Sequence, residues 1–235
     1  MVTRPGASTS LIVSVVASDG SWRYLEDRPP ESFVRVEDVR RCVAMIGSAE
    51  AVVLQSQEPG EALLEAARIG QAHGDLVVVD GAPPQGIDPE ALYRLADVVR
   101  ADQHEAGLIA GEPIEGAKAA LDAGRRLLER GPRVAVFAAG EDGNAIVWNG
   151  GNAVLSAVVP HLPVTVVDTT GGGDALLAGM VTGLLQGSDP LTAACMGTAA
   201  AGCVVTRLGG RPALFPGEVA VKAAWLEAHA WHSEK

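Results

Sequence analysis

The stretch Val164–Met180, VTVVDTTGGGDALLAGM, holds three consecutive glycines followed at once by an acid, Asp174. Glycine lets a backbone come close to a ligand and take a positive φ where a turn needs one. A helix starting here would offer its first free N–H groups and the positive end of its dipole to an anion. This is not a Walker A loop, because no Gly-Lys-Ser/Thr follows. It also lies too late in the chain for a dinucleotide-binding G-x-G-x-x-G. A carboxylate beside an anion site is out of place if the site only binds, since two negative groups repel. The pairing makes sense if Asp174 takes a proton from a hydroxyl while the Gly171, Gly172 and Gly173 amides hold the group that the hydroxyl attacks. That is a layout for phosphoryl transfer. In the competing reading Asp174 merely caps its helix and the glycines merely turn, and spacing alone leaves the two open.

Such a site needs elements to carry it. Leu11–Val16 reads as a strand, Asp19-Gly20 as a turn and Trp22–Leu25 as the returning strand of a hairpin. Asp27–Ser32, DRPPES, reads as a linker. Helical and strand-like segments then alternate. Helices are expected at Val36–Ile46, Pro59–His73, Pro89–Leu95, Gln103–Ala110 and Glu115–Arg130. Strands are expected at Ala51–Leu54, Leu76–Val79, Val98–Val99, Val134–Phe137, Ala145–Trp148, Ala153–Val158 and Val164–Val167. The last third is helical. Asp174–Leu185 carries two adjacent i, i+4 apolar rows and should be mostly buried. Asp189-Pro190 is a good start for a helix running through Thr206. Short apolar strands alternating with helices predict a mostly parallel sheet with helices on both faces.

Composition bounds the function. The 235 residues include 18 basic and 29 acidic side chains, a net charge of −11, which argues against nucleic acid or an anionic membrane surface as partner. Hydrophobic residues at 48% exclude a disordered chain. Aromatics are only 4%, so Ala, Val and Leu must fill the core. No apolar run reaches the roughly 20 residues a bilayer span needs. Cys42, Cys195 and Cys203 are odd in number and lack C-x-x-C spacing, which predicts a reduced, cytoplasmic protein without a disulfide framework.

DTTGGGD, Asp168–Asp174, resembles the C-terminal signature D-T-x-G-A-G-D of the ribokinase-like (PfkB) carbohydrate kinases, with Gly172 where Ala is usual. The resemblance runs from about Leu11 to the C-terminus. VVRADQHEAGLIAG resembles the stretch containing N-x-x-E: Glu105 matches the Glu linked to the magnesium shell, and Asp102 stands where Asn is usual. RVAVFAAGEDGNAIVW resembles the strand and T-L-G-x-x-G turn along the nucleotide. There Gly140 and Gly143 match, and Ala138 replaces the Thr. GTAAAGCVVTRLGGRPALFP resembles the adenine-side helix and following loop, with Thr198 near the adenine. The resemblance also implies a monovalent-cation site, usually for potassium, at Asp168, Thr170, Val204, Arg207 and Gly209, mostly through backbone carbonyls. Ala213 replaces a frequent Ser there.

The implied fold is a three-layer α/β/α ribokinase-like core over residues 31–235, with a mostly parallel sheet and a partial β-lid over residues 1–30. The implied activity is ATP-dependent phosphorylation of a hydroxyl on a sugar or sugar-like small molecule, with Mg2+ and K+ as cofactors. Family members often pair through the lid, so a homodimer is an open expectation. The family's early strands, with a sugar-binding Asp and a G-G-x-x-x-N motif, have no counterpart before Glu50, which predicts an exposed sheet edge. It also motivates an alternative: a nucleotide-binding remnant without turnover. Outside the resemblance, Asp80 is a site candidate, because strand carboxyl ends in open α/β sheets face the ligand crevice. His229 and His232 lack the third ligand that zinc needs and are read, with Trp225 and Trp231, as parts of one amphipathic terminal helix. Cys195 and Cys203 are read as small core residues.

Overall fold

The computed structural model describes residues 3–16 and 22–232. Strands β1 (Leu11–Val16) and β2 (Trp22–Asp27) form an antiparallel pair from Leu11↔Asp27 to Val16↔Trp22. The predicted Asp19-Gly20 turn lies outside the described residues. The hairpin is a sheet of its own, and the side chains of Leu11, Ile12 and Leu25 remain exposed. It is tied to the segment after it by Arg4 donating to the Glu31 carbonyl (2.7 Å) and by a Ser10–Ser32 hydroxyl contact (2.6 Å).

Two short helices follow, α1 (Val36–Arg41) and α2 (Val43–Ile46), where one was expected; the chain breaks at Cys42, which sits at φ −99°, ψ 9°. Next come β3 (Ala51–Gln55), α3 (Gly60–His73), β4 (Leu76–Asp80), α4 (Pro89–Tyr93), β5 (Val98–Ala101), α5 (Gln103–Ala110), α6 (Gly116–Leu128) and β6 (Val134–Ala138). They are followed by β7 (Asn144–Asn149), β8 (Val154–Val159), α7 (Gly172–Leu185), α8 (Pro190–Val204), α9 (Pro216–His229) and a two-residue β9 (Trp231–His232). The caps are those the composition supplies. Gly74 ends α3 at φ 83°, and the Asp189 carboxylate accepts from Leu191 N and Thr192 N to start α8.

The seven strands of the main sheet lie side by side in chain order, β3 to β9. β3 through β6 pair in parallel, and β6 through β9 pair antiparallel, so the sheet is mixed and its parallel part is the first four strands. The period-2 rule separates two cores. Val77, Val79, Val99, Ala135, Phe137 and Val147 face the cluster built with α3 and α6. Val78, Val98, Val136, Ile146 and Ala157 face the other cluster, built with α7, α8 and α9. These are the three layers. β3 and the two-residue β9 are the edge strands, and Val53 on β3 is 49% exposed.

Two expectations need correcting. Val164–Val167 is not a strand: the segment runs as irregular chain, with Val166 and Val167 more than half exposed. Its amide contacts are instead Val164 N to the Leu162 carbonyl and Val167 N to the Val205 carbonyl at the end of α8, both 2.8 Å. Trp231 and His232 are not on the terminal helix but in β9, which pairs with Val158 and Ala157 of β8. Trp225 does lie on α9, stacked on His229 with ring centroids 3.9 Å apart.

Candidate active site

Parallel strands deliver their carboxyl ends, and the loops that follow them, to one rim of the sheet. Asp80 ends β4, Arg100 stands in β5 with Asp102 just beyond, and Ala138 ends β6. Because β7 and β8 pair antiparallel, Asn144 at the start of β7 and Val159 at the end of β8 reach the same rim.

The glycine turn lies against this rim. Gly171 is the N-cap of α7 at φ 75°, and a β-carbon there would strike the Gly210 carbonyl. Glycine is therefore required at 171 on two counts. Position 172 is different: a β-carbon would meet only Val205 Cγ1, at 3.1 Å. The Gly172 amide is spent on the Thr169 carbonyl (3.1 Å), while those of Gly171, Gly173 and Asp174 find no backbone acceptor among the described residues.

Asp174 is the third residue of α7, exposed, and its carboxylate accepts no hydrogen bond from any described residue. Among those residues the helix has no side-chain cap, so the capping reading lacks the bond it requires. Asp102 and Glu105 supply the contrast. There Asp102 Oδ1 accepts from Glu105 N (2.8 Å) and Glu105 Oε2 accepts from Asp102 N (2.9 Å), a complete capping box at the start of α5. Burial is the main influence on the Glu105 carboxyl and pushes it above its ordinary value. The Asp102 N–H opposes this. The charges of Asp102 and Asp80 add to it, and Arg100 works against it.

A residue that sequence reasoning missed completes the rim. Arg100 Nη1 donates to Asp80 Oδ1 (3.0 Å), and Gln55 Nε2 donates to Asp80 Oδ2 (3.0 Å). Asp80, the strand-end candidate, is thereby buried and fully engaged. A lone Arg in an apolar strand carries no motif, and only its position beside the glycine turn gives it away.

Asp168 closes the turn from the other side. Its Oδ1 accepts from Thr170 N and its Oδ2 from Gly209 N, both 2.9 Å. The Thr170 N–H, then the Gly209 N–H, hold the carboxyl below its usual value. Arg207 Nη1 donates to the Ala213 carbonyl (3.2 Å), and the Val204 carbonyl accepts from Arg207 N (3.1 Å). At the nucleotide-turn position, Gly140 (φ 64°) and Gly143 (φ 108°) bracket a single 3-10 turn. A β-carbon on Gly143 would strike the Val159 carbonyl. Thr198 does not face this rim openly: it is buried, and its hydroxyl accepts from Asn144 Nδ2 at 3.3 Å. Asn144 is a second residue the sequence reading passed over.

The structure thus gathers Gly171–Gly173, Asp174, Asp80, Arg100, Asp102 and Glu105 in one region. Asp168, Thr170, Arg207 and Gly209 adjoin it, and the backbone of the 140–143 turn forms a further stretch of rim. A hollow of about 830 Å3 adjoins the site at Asp102, Gln103 and His104, and others lie elsewhere. One of about 740 Å3 opens at the amino end of the strands beside Asp75, Asp97 and Arg133. Another of about 610 Å3 lies among α7, α8 and α9.

Comparison with known proteins bears on the family and the fold. The family model described as "pfkB family carbohydrate kinase" matches residues 1–215. A ribokinase of Haemophilus influenzae is 27% identical over 176 residues, covering 75% of this chain and 56% of the relative. A 1-phosphofructokinase of Haloferax volcanii is 30% identical over 208 residues, covering 87% of this chain and 65% of the relative. The chain therefore spans less than two thirds of the length of these curated relatives. Among solved structures, a ribokinase from Thermotoga maritima superposes with a TM-score of 0.75 at 26% identity, over 92% of this chain and 70% of that one. An Arabidopsis thaliana ribokinase complexed with ribose and ATP shares the fold, with a TM-score of 0.72 at 21% identity, over 90% and 68% of the two chains. With a family match over nearly its whole length and a glycine–aspartate turn set on the rim of a three-layer α/β/α fold, the chain belongs to the pfkB family of carbohydrate kinases.

Proposed function

We propose that this protein transfers the terminal phosphoryl group of ATP to a hydroxyl of a sugar or sugar-like small molecule. The observation that carries the reading is Asp174. It is an unengaged carboxylate on the first turn of α7, beside amides that have no backbone acceptor. In the reaction Asp174 takes the hydroxyl proton, the freed oxygen forms a bond to the terminal phosphorus, and the bond from that phosphorus to the bridging oxygen breaks to release ADP. The Gly171 and Gly173 amides face the charge that builds on the transferred group.

The acidic groups near Asp102 fit a divalent cation. Burial and neighbouring carboxylates hold Glu105 up, and a cation would relieve that. Among the described residues no three His, Cys, Asp or Glu converge into a metal cage, so Glu105 and Asp102 would hold Mg2+ through its water shell. Bound there, Mg2+ would neutralise phosphate charge. The residues matched to a potassium site are partly engaged with one another. The Val204 carbonyl accepts from Arg207 N and the Ala213 carbonyl from Arg207 Nη1, which leaves each one lone pair for a cation.

The test is ADP release on a panel of sugars and nucleosides. Asp174→Asn should lower kcat by about 10²–10⁴-fold while nucleotide binding persists. Turnover unchanged by that substitution rules out Asp174 as the base. A second reading is nucleotide binding without turnover. Binding with no turnover on any acceptor would select it.

A further inference from the structure

Resting on the phosphoryl-transfer reading, we infer that Arg100 is a direct ligand of the phosphoryl group being transferred. A β-carbon placed on Gly173 would lie 3.0 and 3.1 Å from Arg100 Nη1 and Nη2, so the guanidinium packs on the glycine turn. This position is electrostatically odd. The amino end of a helix is its positive end, and a cation there is unfavourable unless an anion sits between them. Asp80 neutralises only part of that charge: its Oδ1 pairs with Nη1, while its Oδ2 is taken by Gln55. A buried ion pair is also a poor way to stabilise a fold, because desolvation offsets much of the attraction. Of the five donors on Arg100, one has a partner among the described residues, the Nη1 bond to Asp80.

A phosphoryl group between Arg100 and the Gly173 amide resolves the conflict. Its oxygens accept from both, and the planar guanidinium suits two oxygens at once. Arg100 stays protonated throughout, so no proton moves through it. Asp80 is then a positioning residue that fixes the guanidinium. A β-carbon at 173 would press on Arg100 and push the guanidinium back by a few tenths of an ångström.

The experiment is calorimetric titration of the full chain with ADP and with the β,γ-imido analogue of ATP, each with Mg2+, for wild type, Arg100→Gln, Arg100→Lys and Asp80→Asn. Arg100→Gln should weaken the triphosphate analogue by about 10–100-fold and leave ADP within about twofold, since ADP lacks the group contacted. Where turnover is measurable, kcat should fall by about 10²–10³-fold with little change in acceptor KM. Arg100→Lys should fall between wild type and Gln, because it keeps the charge without the fork, and it decides the matter if Gln does not fold. Asp80→Asn should weaken the triphosphate selectively but less. Equal losses for both nucleotides, or none, in the folded Gln or Lys variant make Arg100 structural and overturn the inference alone. A wild type that binds neither nucleotide overturns the phosphoryl-transfer reading and this inference with it.

Discussion

At the scale of single residues, the three glycines of the turn are not equivalent. Gly171 has a left-handed backbone and a carbonyl against its α-carbon, Gly172 has moderate room, and Gly173 faces a guanidinium. Gly171→Ala should cost about 1–2 kcal/mol from the left-handed conformation alone and more from the collision with Gly210. Gly172→Ala, which restores the residue usual in the family signature, asks only a few tenths of an ångström of Val205. Urea denaturation of the two variants should place Gly171→Ala below Gly172→Ala by at least about 1 kcal/mol; equal stabilities would mean that the turn is not built as described. The glycines and the acid stood out in the sequence by their adjacency, although spacing alone left a cap and a turn as the competing reading. The sequence did not show Arg100 or Asn144. Their types are unremarkable, and only the fold brings the one to the turn and the other to Thr198.

At the scale of elements, Glu105 caps α5 and sits among other carboxylates. A carboxyl whose folded pKa lies above its unfolded value favours the fold while protonated. That contribution is present below the unfolded value and is lost as pH rises through the folded one. Gln can still complete the capping box, so Glu105→Gln removes the titration and keeps the cap. The melting temperature of wild type minus that of Glu105→Gln should therefore grow as pH is lowered from about 7 to about 4. A difference that stays flat or shrinks would show that burial does not hold this carboxyl up. Asp168 has the opposite sign: its amide bonds stabilise above the unfolded value and weaken as pH falls through the folded one. Most elements were legible because their apolar periods and caps agree, as in α3 with Gly74 and α8 with Asp189. Val164–Val167 misled because β-branched residues favour strands only where a neighbour offers a ladder, and here the segment lies against the end of α8. β9 was missed because two residues carry no period.

At the scale of the whole molecule, stability resides in the strands between the two helical layers. Val78 is fully buried in β4 and packs toward α7 and α8. Val78→Ala should cost about 2–3 kcal/mol in urea denaturation, from lost transfer energy plus a cavity. Val53, half exposed on the edge strand β3, should tolerate Thr within about 0.5 kcal/mol. Equal effects at the two positions would contradict the placement of β3 at the edge. The layered α/β class followed from alternation of strand and helix, but the antiparallel half of the sheet did not, because strand direction leaves no mark on composition. That reversal has a mechanical effect. Loops after parallel strands are each attached to the sheet at one end and to a helix at the other, so they can swing. The 139–143 bend is clamped on both sides by strands bonded to each other, and it can shift only if the sheet itself flexes. A ligand seated on the rim would therefore meet one immovable wall there and adjustable segments elsewhere.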